Sequence, residues 1–204
     1  MNRPVMPLRP GMLLAAALLA SGCQSNSSTA AAEAPLAGAA IGGPFELVDK
    51  DGKTVRWSDF DGKYRVVYFG YSYCPDVCPM DVTRLMKGYA KFKQDEPQMA
   101  AQVQPIFISI DPERDTPKVV GEFAGAFSDD LIGLTGTPKQ VKVAADAFKV
   151  FYKKGESAGN GQYLMDHSTA AYLMGRKGEP LALLPIDVVD QGQAVAAELE
   201  KWTG

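Results

Sequence analysis

Cys74 and Cys78 stand four residues apart in Cys74-Pro-Asp-Val-Cys78, and the chain's single histidine, His167, lies in Met165-Asp166-His167-Ser168. A thiol pair at this spacing can close a short disulfide, work as a nucleophile with its resolving partner, or offer two thiolates to a soft metal. If a helix has begun by Cys74, the i,i+4 spacing puts both sulfurs on one face. A thiol at a helix N-terminus also feels the positive end of the dipole, which favours the thiolate needed for both ligation and disulfide attack. A purely structural bridge is the weakest of the three readings, because so short a loop constrains the unfolded chain little. A lone histidine at a strand start is more often a surface or satisfied core residue. Beside two thiolates it completes a soft three-ligand set that suits copper, as thiolate-bound Cu(I) or as thiolate- and imidazole-bound Cu(II). Zinc would normally want a fourth ligand.

The elements that must position these residues are legible from pattern. Arg65 to Gly70 is a β-branched and aromatic run, typical of a strand buried on both faces, and Val103 to Ile110 repeats it. Between them, Val82, Leu85, Met86, Tyr89 and Phe92 recur at helical spacing, which predicts an amphipathic helix from Pro79 to about Gln94. Asp115-Thr116-Pro117 supplies a capping residue and a first-turn proline for a helix to about Phe127. Thr137-Pro138 opens a third, through Val141, Ala144, Ala145, Phe148 and Phe151, after a short segment Leu131 to Leu134. Phe45 to Val48 and Lys53 to Arg56 flank Asp51-Gly52 as an N-terminal β-hairpin. After the glycine-rich loop Gly155 to Gly161, Ser168 to Met174 and Pro180 to Leu184 flank Gly175-Arg-Lys-Gly178 as an antiparallel edge hairpin, and Gln193 to Trp202 forms a closing helix. The order is α/β, a central mixed sheet flanked by helices. The cysteine pair sits at the C-terminal end of the central strand, where open α/β sheets bind ligands.

The 204-residue chain carries 21 Lys+Arg against 24 Asp+Glu and is 46% hydrophobic. That balance suits one globular domain and makes nucleic acid a poor partner. No phosphate-binding glycine signature follows a strand, and no serine nucleophile elbow is present. Arg3 and Arg9 precede an apolar run from Met12 to Ala20, which reads as an export signal and is about half the ~20 residues a membrane-spanning helix needs. Leu19-Ala20-Ser21-Gly22-Cys23 resembles a bacterial lipobox, with Leu19 one place early, so Cys23 is expected to be lipidated after residues 1–22 are removed. Residues 23–41 read as a lipidated, flexible tether and 42–204 as the folded domain, in a mildly acidic mature chain of net charge −5.

Four segments in order resemble the Sco/SenC copper-handling family: Gly70-Tyr-Ser-Tyr-Cys-Pro-Asp-Val-Cys-Pro79, Ile108-Ser-Ile-Asp-Pro-Glu-Arg-Asp-Thr-Pro117, Leu134-Thr-Gly-Thr-Pro138 and Asp166-His-Ser168. The resemblance covers roughly residues 42 to 202. It implies a thioredoxin-like fold with an inserted hairpin, and copper, as Cu(I) and Cu(II), held by Cys74, Cys78 and His167. It implies delivery of that copper to the binuclear centre of cytochrome c oxidase subunit II during assembly. A lipid-anchored protein of the bacterial periplasm is expected, with a thioredoxin-like reductant and other periplasmic copper chaperones as further partners. Tyr73 departs from the His or Thr that many members carry before the first cysteine. Asp76 and Asp166 are candidates to orient the ligands, and Asp111 could face the same site, its bland alternative being to cap the turn before Pro112.

Competing roles use the same residues. In a thiol-disulfide oxidoreductase Cys74 would attack and Cys78 resolve, keeping the oxidase's copper-binding cysteines reduced. The three intervening residues, where thioredoxin-type catalysts have two, and the histidine favour metal binding. A peroxiredoxin-type peroxidase would want Pro and Thr or Ser ahead of its cysteine, where Tyr71-Ser-Tyr73 stands. A copper or redox sensor would use the site to signal.

Overall fold

Asp49 shapes the first turn, its Oδ1 accepting the Asp51 and Lys53 N–H groups at 3.0 and 2.9 Å while Gly52 takes φ +74°. In the computed structural model, which describes residue 1, residues 33–156 and residues 163–204, this turn joins the antiparallel strands β1 (Glu46–Val48) and β2 (Thr54–Arg56). The chain then runs through β3 (Tyr64–Gly70), α1 (Val77–Asp95), the short α2 (Pro97–Ala100), β4 (Val103–Ser109) and α3 (Pro117–Gly125). It continues through β5 (Ile132–Leu134), α4 (Pro138–Ala147), β6 (Tyr152–Lys154), β7 (Met165–His167), β8 (Ala171–Met174), β9 (Pro180–Leu184) and α5 (Gln193–Thr203).

The central sheet has the order β5-β4-β3-β8-β9: β3, β4 and β5 are parallel, β8 pairs antiparallel with β3, and β9 pairs antiparallel with β8. It is the mixed, helix-flanked sheet of the thioredoxin-like fold, with its N-terminal hairpin and antiparallel edge. Alternation along β3 sorts its side chains between two cores. Tyr68 points toward α1, where its hydroxyl meets Asp81, and Phe69 points to the other layer against Phe148, with ring centroids 5.3 Å apart. Each such buried aromatic removes enough apolar surface from water to contribute about 1.5–3 kcal/mol. Gly88 lets α1 meet α5 closely, since a Cβ there would stand 2.4 Å from Val195 Cβ. Arg65, within the expected apolar run, is fully buried and donates to Asp61 and to the Gly175 carbonyl.

Several expectations need correction. The third helix stops at Ala147: Lys149 takes φ +58°, which turns the chain away, and Phe151 is exposed rather than on the core face. The cap expected within Asp115-Thr116-Pro117 is Thr116, its side chain accepting the Val119 N–H, while Asp115 turns inward. The strand expected from Ser168 begins only at Ala171, and His167 belongs to a separate two-stranded hairpin, β6–β7, that is not part of the main sheet. The chain also packs onto the fold before Gly42, with the Leu36 N–H donating to the Leu181 carbonyl at 3.0 Å. Cys23, the export segment and much of the Gly155 to Gly161 loop lie outside the described residues. Among the described residues, no helix is long and apolar enough to cross a membrane.

Candidate metal centre

Three chain segments meet at the C-terminal end of β3: the cysteine loop, the loop between β4 and α3, and the β6–β7 hairpin. Asp76 is the N-cap of α1, so Cys74 precedes the helix and Cys78 is its second residue. The i,i+4 relation therefore works as a cap. The Cys78 backbone N–H, one of the helix's free first-turn donors, gives its hydrogen to Cys74 Sγ at 3.3 Å. Cys78 is fully buried and Cys74 half-buried, and both are free thiols.

The two thiols are electrostatically unequal. Burial works against a Cys74 thiolate, but the N–H groups of Cys78 and Asp76, the Cys78 thiol and the Tyr71 hydroxyl stabilise it, and its pKa falls below the ordinary thiol value. Burial pushes the Cys78 thiol far up. In the metal-free protein, iodoacetamide should therefore modify one thiol rapidly, with a midpoint below that of a free cysteine, because the thiolate persists to lower pH. Mass mapping should place the label on Cys74. Label divided equally between the two cysteines would contradict this asymmetry.

His167 meets this pair from β7. Its Nδ1 lies 2.9 Å from the Ser168 carbonyl, which can only accept, so Nδ1 carries the proton and Nε2 keeps its lone pair. Nε2 stands 3.3 Å from Cys78 Sγ. Burial lowers the imidazole's pKa, opposed by the Ser168 carbonyl and the charges of Asp81 and Asp166, which keeps the ring in the neutral form a metal needs. Cys74, Cys78 and His167 are thus linked as a chain. Among the described residues, no group of three His, Cys, Asp or Glu side chains is already arranged to hold a metal ion, so ligation by all three requires these side chains to draw closer.

The carboxylates divide differently from expectation. Asp76 is exposed, its side chain caps nothing, and it acts on Cys74 through its backbone N–H. Asp166 is exposed on β7 and touches the site only through its charge on His167. Asp111 is buried, but it accepts from Arg114 Nε at 2.5 Å and from the Tyr163 hydroxyl at 2.7 Å, so it braces the surrounding loops. Asp115 accepts from the Ser72 N–H at 3.0 Å, the Ser72 hydroxyl and the Ser109 hydroxyl, fixing the start of the cysteine loop to the end of β4.

Asp81 and Tyr68 escaped sequence reasoning. The Tyr68 hydroxyl donates to Asp81 Oδ2 at 3.0 Å, and Arg84 stands 3.6 Å from the same carboxylate. Asp81 lies on the buried helix face with Cys78, Val82 and Leu85, and an acid on an apolar stripe was the available signal. Gly70 completes the enclosure: a Cβ there would sit 2.9 Å from Tyr68 Cε1 and 3.2 Å from Cys78 Sγ. Gly70→Ala should overpack this wall and cost about 1–3 kcal/mol, read as a lower urea midpoint with an unchanged slope. An unaltered midpoint would show that the wall yields freely.

A family model described as SCO1/SenC matches residues 33–204. Among curated relatives, SCO1 homolog 1, mitochondrial, of Arabidopsis thaliana is 44% identical over 151 residues, 74% of this chain and 44% of that one. Protein SenC of Rhodobacter capsulatus is 45% identical over 155 residues, 76% of this chain and 65% of that one. The chain thus spans less than two thirds of the length of these relatives. Among solved structures, the crystal structure of Arabidopsis thaliana ScoI with copper bound superposes with a TM-score of 0.71 at 37% identity, covering 79% of this chain and 97% of that one. Bradyrhizobium japonicum ScoI with copper bound gives a TM-score of 0.71 at 35% identity, covering 79% and 99%.

Proposed function

The chain belongs to the SCO1/SenC family, and on that premise we propose that it is a copper metallochaperone. Copper is its cargo, held by Cys74 Sγ, Cys78 Sγ and His167 Nε2. The observation that carries this reading is the approach of the His167 Nε2 lone pair to Cys78 Sγ, 3.3 Å, with the Nδ1 proton committed to the Ser168 carbonyl. Two thiolates hold Cu(I), and the added imidazole extends the site to Cu(II). Cys74, half-exposed and thiolate-prone, is the ligand that an incoming or outgoing copper carrier reaches first. A three-ligand site on loops can pass its cargo by ligand exchange, which a closed four-ligand cage resists.

The recipient is the binuclear copper centre of cytochrome c oxidase subunit II, served during oxidase assembly. Residues 1–22 direct export and are removed, and lipidation of Cys23 holds the chain at the membrane of the bacterial periplasm. From there the stretch between Cys23 and the first packed residues near Leu36 carries the copper-binding domain toward its partners, which include a thiol reductant and other copper carriers. The test is transfer. Full chain loaded with one copper, mixed with the metal-free copper-binding domain of subunit II, should lose its metal while the recipient gains an equal amount. Copper staying on this chain at equilibrium would remove the delivery claim.

The lowered Cys74 pKa also favours a second reading, thiol-disulfide exchange. Cys74 would attack a disulfide in the recipient and Cys78 would resolve the mixed disulfide, leaving this chain oxidised and the recipient with two thiols. Thiols appearing on an oxidised, metal-free recipient at a rate independent of His167 would support it.

A further inference from the structure

We propose that Arg114 is a positioning residue, the clamp that fixes the His167 hairpin against the cysteine loop. The inference rests on His167 being a copper ligand, as set out above, but its structural half can be measured without metal.

The hairpin needs a clamp. β6 and β7 share three residue pairs and form no ladder with the five-stranded sheet, and an isolated two-stranded hairpin is marginally stable in water. Its placement therefore depends on side-chain ties: Lys154 of β6 pairs with Glu113, and the Tyr163 hydroxyl donates to Asp111, but it is Arg114 that touches both the chain entering β7 and the cysteine loop. Arg114 Cζ stands 3.6 Å from the ring centroid of Tyr163, on the chain entering β7. It stands 5.0 Å from that of Tyr73 and 5.7 Å from that of Tyr71, both on the cysteine loop. Its Nε donates to Asp111 in the loop after β4, and its Nη1 donates to the Tyr163 carbonyl at 2.9 Å.

Among the described residues, the remaining nitrogen, Nη2, is buried with no hydrogen-bond acceptor. A polar group is left this way at a cost unless something offsets it, and here the facing aromatic rings supply the attraction. Tyr71 carries the effect onward. Its hydroxyl accepts the Met165 N–H at 3.2 Å, and its ring meets His167 edge-on with centroids 5.9 Å apart. Lysine can keep the ion pair with Asp111, but it lacks the planar fork that stacks on Tyr163 and reaches the Tyr163 carbonyl together.

The test uses the full chain with Arg114→Lys and Arg114→Met. In metal-free protein, amide hydrogen exchange at Gly155 and Met165 should accelerate about tenfold or more, while β3 and β4 amides keep their protection. In loaded protein, Cu(I) should stay stoichiometric while Cu(II) binds about tenfold or more weakly, with an altered sulfur-to-copper charge-transfer band. Hairpin exchange within twofold of wild type in Arg114→Lys would overturn the clamp, and so would equal acceleration in hairpin and sheet, which marks a general stabilising role. Should Arg114→Met fail to fold, Arg114→Lys decides. If wild type holds no copper, the copper reading fails and the exchange arm still decides the clamp.

Discussion

Replacing His167 by alanine is expected to leave Cu(I) bound to the full chain and to remove the Cu(II) form. Cu(I) is satisfied by two soft thiolates, whereas Cu(II) needs the imidazole to hold it against reduction by those same thiolates. Loss of a residue that merely orients a ligand costs about 10–100-fold in metal affinity, so loss of the imidazole itself should weaken Cu(II) binding by about 100-fold or more. The displaced chemistry is predictable. Two equivalents of Cu(II) would each take one electron from the cysteine pair, giving two Cu(I) and a Cys74–Cys78 disulfide. Anaerobic titration with each oxidation state, followed by desalting, copper assay and thiol counting, reads all of this. Equal retention of Cu(II) in wild type and variant would mean that the short approach of His167 Nε2 to Cys78 Sγ serves packing alone.

Asp115→Ala is expected to have the largest effect on stability. The carboxylate is fully buried and receives three donors from Ser72 and Ser109, and Thr135 reaches the same turn by donating to the Asp115 carbonyl at 2.8 Å. Burial raises the Asp115 pKa, with the serine donors opposing that rise, so the group sits where a charge is tolerated only because its partners surround it. Alanine leaves those donors without an acceptor at about 1–3 kcal/mol for each one that stays buried. With water reaching part of the loop, the sum should be about 2–4 kcal/mol, or a fall in Tm on the order of 5–15 °C for a domain of this size. Since Ser72 lies two residues before Cys74, copper retention should fall with it. A Tm within about 1 °C of wild type would show that water replaces the carboxylate without loss.

The legible parts of this protein were those written in local pattern. β3 and β4 declared themselves as runs buried on both faces, α1 by its apolar period, and α3 and α4 by proline after threonine. Cys74, Cys78 and His167 stood out because their types are scarce and reactive. What stayed hidden was tertiary. The β6–β7 hairpin is three residues a side and is placed by Arg114, Tyr71 and Tyr163, none of which advertises its contacts in sequence. Asp115-Thr116-Pro117 promised a cap and Thr116 supplies it, but the inward turn of Asp115 toward the Ser72 and Ser109 donors is set by tertiary contacts that local pattern does not show. Phe151 matched the helical period but falls beyond the turn at Lys149, where the helix has already ended.

Whether one copper is held by two thiolates and one imidazole is decided by X-ray absorption at the copper edge of the loaded full chain. The Cu(II) form should show two sulfur and one nitrogen scatterers, with the nitrogen at about 2.0 Å by analogy with other imidazole–metal bonds, and Cys78→Ser one fewer sulfur. A copper shell of nitrogen and oxygen alone, unchanged in Cys78→Ser, would contradict that ligand set.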